Sequence, residues 1–191
     1  MRRLFPLIGF IGSILLAQNV KGPKPGPMSW LDATIVRQWN RSGRTMPHAP
    51  RGSSRDGNCK GYKSAGGSES DLAKSGWLVT RPGVSHNEIT VVEGQAANDG
   101  MCRPTQYQEF VFINGDFAGT LSPVLMNSRS DGAAANVRVP GDGRIVVDFL
   151  RYSERDPLCC PSRTTEVEYT IVRVNGKPLV SVKGTRTHPN D

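Results

Sequence analysis

Two Asn-Gly pairs set the strongest limit on how this chain can fold. In YQEFVFINGDFAGTL, Asn114-Gly115 separates two extended runs, and in EVEYTIVRVNGKPLVSVKG, Asn175-Gly176 does the same. Asn-Gly supplies the two positive φ angles of a type I′ turn, whose twist matches the strands it joins, so each pair predicts a two-residue β-hairpin. Val167, Tyr169 and Ile171 alternate with Glu166, Glu168 and Thr170, the period of a strand with one wet face. Four more runs, GWLVTRPG, NEITVVEG, NVRVP and RIVVDFLRY, are rich in β-branched or aromatic residues and bounded by Gly, Pro or Asn. Two helices are expected ahead of most of this material. Ser29 caps WLDATIVRQWN, where Leu31, Ile35 and Trp39 fall at helical spacing, and Ser68 or Ser70 caps SESDLAKSG, which ends at Gly76. The pattern is α+β: a mainly antiparallel sheet of about seven strands with two short N-terminal helices.

The N-terminus has the layout of a secretory signal peptide: Arg2 and Arg3, then a weakly polar run from Leu4 to Ala17, then proline-rich polar chain. As a helix, that run reaches only about 21 Å against a hydrocarbon core of roughly 30 Å, so cleavage near Ala17 is the favoured reading and an uncleaved spanning anchor the weaker one. The expected organisation is a signal peptide over 1–17, a Pro/Gly linker over 18–28, one domain over 29–185 and a tail over 186–191. The expected location is periplasmic or secreted, with no transmembrane span after cleavage. Removing Arg2 and Arg3 lowers the formal charge from +7 by two. A basic exported chain can meet an anionic envelope component or an acidic protein. Nucleic acid is not an expected partner, because no basic run is interleaved with stacking aromatics.

Four cysteines, Cys59, Cys102, Cys159 and Cys160, constrain the rest. Adjacent Cys159 and Cys160 lack the spacing of a zinc site or of a C-x-x-C redox motif, and His48, His86 and His188 are isolated, so neither a metal nor a cofactor is expected. In an exported chain the four predict two disulfides. A Cys159–Cys160 bond closes a strained eight-membered ring, so the favoured arrangement sends each to a different partner, Cys59 or Cys102, with a vicinal bond acting as a switch as the alternative. Cys59 lies inside RSGRTMPHAPRGSSRDGNCKGYKSAGGS, a long connection with little to bury. A crosslink there predicts an ordered strap against the domain.

No G-x-S-x-G, S-x-x-K, H-E-x-x-H, G-x-G-x-x-G or phosphate-loop motif occurs. Glu166 and Glu168 could form a catalytic carboxylate pair, but the same spacing marks any solvent-facing strand. The candidate ligand-binding set is Arg103, Tyr107, Arg129, Asp131, Arg151, Tyr152, Asp156 and Arg163, each beside a turn or strand end. Arginine forks there would grip a carboxylate or phosphate; alternatively, Arg–Asp pairs tie the turns together, with Asp131 and Asp156 accepting backbone N–H bonds.

The segments GMCRP, GTLSP and DPLCCPS, within residues 70–175, resemble the LppP/LprE-type lipoprotein family. The resemblance implies an exported, disulfide-bearing envelope domain and brings no catalytic site. Ala17 is followed by Gln18 rather than by the cysteine that would carry a lipid, so lipid anchoring is not expected. The expected function is a non-enzymatic envelope domain binding an anionic ligand or a protein partner through arginine-bearing turns. The alternatives are a hydrolase or transferase using a carboxylate pair, and a purely structural envelope protein.

Overall fold

Both Asn-Gly hairpins form. A computed structural model describes residues 29–33, 38–63, 66–157 and 159–190. Asn114 and Gly115 take φ of 50° and 86°, and Asn175 and Gly176 take 51° and 77°, all in the left-handed region a type I′ turn requires.

Among the described residues eight strands form two antiparallel four-stranded meanders. The first joins β1 (Val84–His86), β2 (Ile89–Asn98), β3 (Pro104–Ile113) and β4 (Asp116–Thr120). The second joins β5 (Ala133–Arg138), β6 (Arg144–Arg151), β7 (Arg163–Val174) and β8 (Lys177–Pro189). The strand content is close to the expected seven, but it is divided between two sheets. Their facing surfaces share one core: Val91, Tyr107 and Val111 from the first sheet pack with Val147, Phe149, Val167 and Tyr169 from the second. The second sheet buries one face and alternates strictly along β6. The first sheet is covered on both faces, so β2 and β3 are buried almost continuously.

Behind the first sheet lies a smaller core of Leu72, Trp77, Val92 and Phe110. Leu72 belongs to α1 (Gly67–Lys74), the one α-helix among the described residues. Gly94 makes this layer fit, because a Cβ there would lie 2.6 Å from Leu72 and 3.0 Å from Phe110. Gly76, with φ of 87°, ends the helical turn as expected, but the N-cap is Gly66 and Ser68 lies inside the helix.

Several expectations need correction. The first helix is a single 3-10 turn over Trp30–Asp32, and Ala33 is already extended at φ −69° and ψ 127°. Thr34–Arg37 lies outside the described residues, as do 1–28 with the expected leader and linker. The apolar spacing reported burial rather than helix: Leu31 is buried, and Trp30 and Trp39 stack edge-on at 5.2 Å against the inter-sheet core. GWLVTRPG forms no strand, only an isolated bridge between Leu78 and Gln95, because Trp77 and Val79 turn into the small core. β8 runs through Pro189, so 186–189 continue the strand placed earlier as tail.

The cysteines pair differently from the favoured arrangement. Cys59 joins Cys102 at a Cα separation of 5.4 Å, and Cys159 joins Cys160. The Cys59 bond spans 43 residues, worth about 4 kcal/mol in the chain-entropy account. It holds the strap against the first sheet, where Asn98 N donates to Ser54 O (3.3 Å), Tyr62 N to Val79 O (2.6 Å) and Trp77 Nε1 to Pro47 O (2.8 Å). With Cys59 and Cys102 committed to each other there, only the vicinal bond remains for Cys159 and Cys160.

Candidate functional site

The eight residues expected to bind ligand sort by whether their charge is already used. Arg151 continues the inward phase of Ile145, Val147 and Phe149 and is 2% exposed. Its guanidinium bonds Asp131 (Nε–Oδ1 2.9 Å), Asp32 (Nη2–Oδ1 2.8 Å) and Thr165 Oγ1 (3.2 Å), while Asp131 also accepts from Tyr152 N at 2.8 Å. Three stretches of chain therefore meet on one buried arginine. Arg103 pairs with Asp99 at 2.6 Å, and that hydrogen-bonded guanidinium holds the Asp99 carboxyl down at about 2. Tyr107 is buried, and its hydroxyl accepts from Ala134 N (2.8 Å) and donates to Ala134 O (3.2 Å), linking the sheets; burial pushes its phenol up.

Asp156 accepts from Ser153 Oγ (2.6 Å), Ser153 N (2.8 Å) and Ser162 N (2.9 Å), closing the β6–β7 connection. Those bonds, led by the Ser153 hydroxyl, pull its carboxyl far below the usual range. Arg129 and Arg163 remain exposed. The structure thus joins Asp131, Arg151 and Tyr152 in one network, puts Asp156 in the adjoining connection and Arg163 at the start of β7 opposite Arg151, and places Arg103 at the β2–β3 turn.

Glu166 and Glu168 lie on the outer face of the second sheet among cations. Arg138 bridges Glu166 (3.0 Å) and Asp148, while Arg144 and Lys183 both reach Glu168, at 3.1 and 2.9 Å. They are not held together by burial. A more enclosed carboxylate pair is a different one, partly buried Glu93 on β2 directly opposite buried Glu109 on β3.

Cations in no ion pair among the described residues gather elsewhere. A groove of about 740 Å³ opens where edge strand β4 meets the start of β8, closed on one side by residues 39–47. Trp39, Phe117 and Leu179 supply apolar lining, and Arg41, Arg44 and Lys177 supply charge against the single acid Asp116. Among the described residues none of those three cations is in an ion pair. Asn40 builds the seam. Its Nδ2 donates to Thr120 O (2.9 Å) and Val180 O (3.1 Å), and its Oδ1 accepts from Thr120 N (2.9 Å), so one side chain satisfies edge groups of both sheets. Trp39 Nε1 adds a bond to Thr120 O at 3.1 Å. This contact needs glycine at 119: φ is 134°, and a Cβ would stand 2.4 Å from Asn40 Cγ. Beyond Asn40 the chain turns, with Arg44 N donating to Arg41 O, Gly43 at φ 75° and Ser42 Oγ anchored on Val174 O (2.9 Å). Arg41 and Arg44 are thereby held on a fixed turn with their charges exposed.

Two packed antiparallel meanders, a disulfide-held strap and a cation-lined groove at the seam define a β-sandwich. Residues 85–173 match the family described as LppP/LprE lipoprotein. The match runs from β1 into β7 and includes Cys102, Cys159 and Cys160, while Arg41, Arg44 and Lys177 lie outside it. Neither a curated protein nor a solved structure matches the chain. No described helix is long and apolar enough to cross a membrane, and no group of three His, Cys, Asp or Glu residues among the described ones is placed to hold a metal ion.

Proposed function

We propose that this protein is a non-enzymatic envelope domain that binds an anionic ligand in the groove between β4 and the β7–β8 hairpin. One observation carries this reading: Arg41, Arg44 and Lys177 are exposed and unpaired around apolar side chains, whereas Arg103 and Arg151 are consumed by internal carboxylates. Guanidinium groups on a fixed turn grip carboxylate or phosphate in a two-pronged geometry, and Lys177 adds a point charge from the opposite wall. A groove of this volume suits a small molecule or a short acidic segment of a larger one. The arginine-bearing turn that binds is then Arg41–Arg44 rather than those around Arg103, Arg129 and Arg151. The lipoprotein family and the apolar run over residues 4–17 support an envelope location.

The test is thermal-shift and native mass spectrometry screening at low salt against inorganic phosphate, dicarboxylates, acidic sugars and anionic phospholipid, with Arg41→Ala/Arg44→Ala/Lys177→Ala beside the parent. Each lost cation removes about 1 kcal/mol, so the triple variant should bind roughly 100-fold more weakly. Its own melting temperature should stay unchanged, because the three side chains hold nothing in place. Equal binding by parent and variant, or no shift with any anion, refutes the reading.

A further inference from the structure

The Cys159–Cys160 bond does no work as a crosslink. Its sequence separation is 1, so it closes no loop and removes almost no freedom from the unfolded chain, unlike the bond that spans 43 residues from Cys59 to Cys102. The connection that carries it is held by other means. Asp156 joins Ser153 to Ser162 across its base, Asn190 Nδ2 donates to Pro161 O (2.7 Å), Asn190 N donates to Ser162 O (2.9 Å), and Cys160 N donates to Pro157 O (2.9 Å). None of these bonds involves sulfur, so opening the disulfide leaves the base of the loop intact. Both cysteines are exposed, which gives an external thiolate access to either sulfur.

We infer that Cys159–Cys160 is a reversible two-electron redox site that exchanges with the dithiol of a partner protein. One partner thiolate attacks the sulfur of one cysteine, forming a mixed disulfide and expelling the other cysteine as a thiolate. The partner's second thiolate then attacks the partner sulfur of that mixed bond, leaving the partner as a disulfide and Cys159 and Cys160 as thiols after each takes a proton. The partner dithiol is oxidised by two electrons and the vicinal bond is reduced by two. Cys59–Cys102 stays out of the exchange. Cys59 is buried, and the fold strengthens that bond by as much as the bond strengthens the fold, on the order of a thousand-fold in reductant.

Dithiothreitol stands in for the partner. The oxidised full chain is titrated under native conditions, quenched in acid, alkylated and mapped by peptide mass spectrometry. Alkylation of Cys159 and Cys160 is expected at least about a hundred-fold lower in reductant than alkylation of Cys59 and Cys102, with the tryptophan fluorescence unchanged. The inference is overturned if both bonds open together, if the vicinal bond opens only in denaturant, or if the native map links Cys159 or Cys160 to Cys59 or Cys102. Variants supply a second reading. Cys159→Ser/Cys160→Ser should melt within about 2 °C of the parent, while Cys59→Ser/Cys102→Ser should lose roughly 10 °C. A similar loss in both double variants makes the vicinal bond a structural staple and ends the proposal.

Discussion

Glu109 should make this protein less stable as pH rises through neutrality, and one substitution should remove that dependence. Glu109 lies on β3 in phase with Tyr107, Val111 and Ile113, is 5% exposed, and faces Glu93 across the ladder. The donors in this corner serve Glu93: Arg81 reaches it at 3.2 Å and Gln95 Nε2 at 2.9 Å. No described group donates to the Glu109 carboxyl. Burial first, and the charge of Glu93 second, push it up from 4.5 to about 8, with Arg81 offsetting part of the rise. In the unfolded chain the proton leaves near pH 4.5, while the folded protein keeps it up to about pH 8.

The folded state therefore binds more protons in that window. Stability is full below pH 4.5, falls by about 1.4 kcal/mol for each pH unit above it, and levels off past pH 8 after a loss of about 5 kcal/mol. Between pH 5 and 7 the loss is about 3 kcal/mol, or roughly 5–10 °C for a domain of this size. Asp99, Asp148, Asp156 and Glu168, whose carboxyls are lowered by their hydrogen-bond partners, act with the opposite sign, their stabilisation being lost as pH falls. The comparison must therefore be a difference. Glu109→Gln keeps shape and neutrality, so its melting temperature minus the parent's should be near constant up to pH 4.5 and climb by roughly 5–10 °C from pH 5 to 7. Thermal and urea melts from pH 4 to 8 with the disulfides intact measure it. A difference that stays flat across that range refutes the reasoning, because it means Glu109 titrates alike in the folded and unfolded states.

Gly119→Ala should destabilise by about 1–3 kcal/mol in urea melts and weaken anion binding as well, since the new methyl strikes Asn40 and parts β4 from β8 at the groove. Arg151→Met should cost about 2–3 kcal/mol in the same assay; the figure sits below that of a fully buried pair because Asp131 and Asp32 keep 33% and 43% side-chain exposure. Glu93→Gln should make the Glu109-linked loss level off at a lower pH and so shrink the total fall in melting temperature between pH 5 and 8, because it removes the opposing charge.

What could be read along the chain was what is decided locally. Asn114-Gly115 and Asn175-Gly176 dictate their turns through their own φ preferences, so the hairpins were legible. Whether the strands form one sheet or two depends on how residues 121–132 cross from β4 to β5, which no local preference encodes. The double burial of the first sheet did leave a trace, since ITVVEGQAAN and QYQEFVFI do not alternate as a half-wet strand does. The spacing of Leu31 and Trp39 reported burial correctly and helix incorrectly, because their burial is set by the sandwich they plug.

Charge obeys the same division, and phase along a strand is the key to it. Arg151 follows Ile145, Val147 and Phe149 at core spacing, and Glu109 falls between Tyr107 and Val111; a charge in core phase must be neutralised internally or lose its ionisation, which makes it structural. Arg41 and Arg44 sit instead in a strap where residues 40–66 hold six Lys and Arg against the single acid Asp56. Such a segment has too little internal acid to neutralise its cations and too little apolar surface to bury them. Once Cys59–Cys102 holds it against the sheet, Arg55 donates to the carbonyls of Ala96 and Gly76, while Arg41 and Arg44 stay exposed and border the groove. The composition of this segment is therefore what gives it an exposed cationic face: a covalently held strap can display charge at a fixed place, whereas a strap with as many acids as bases would cancel it on itself.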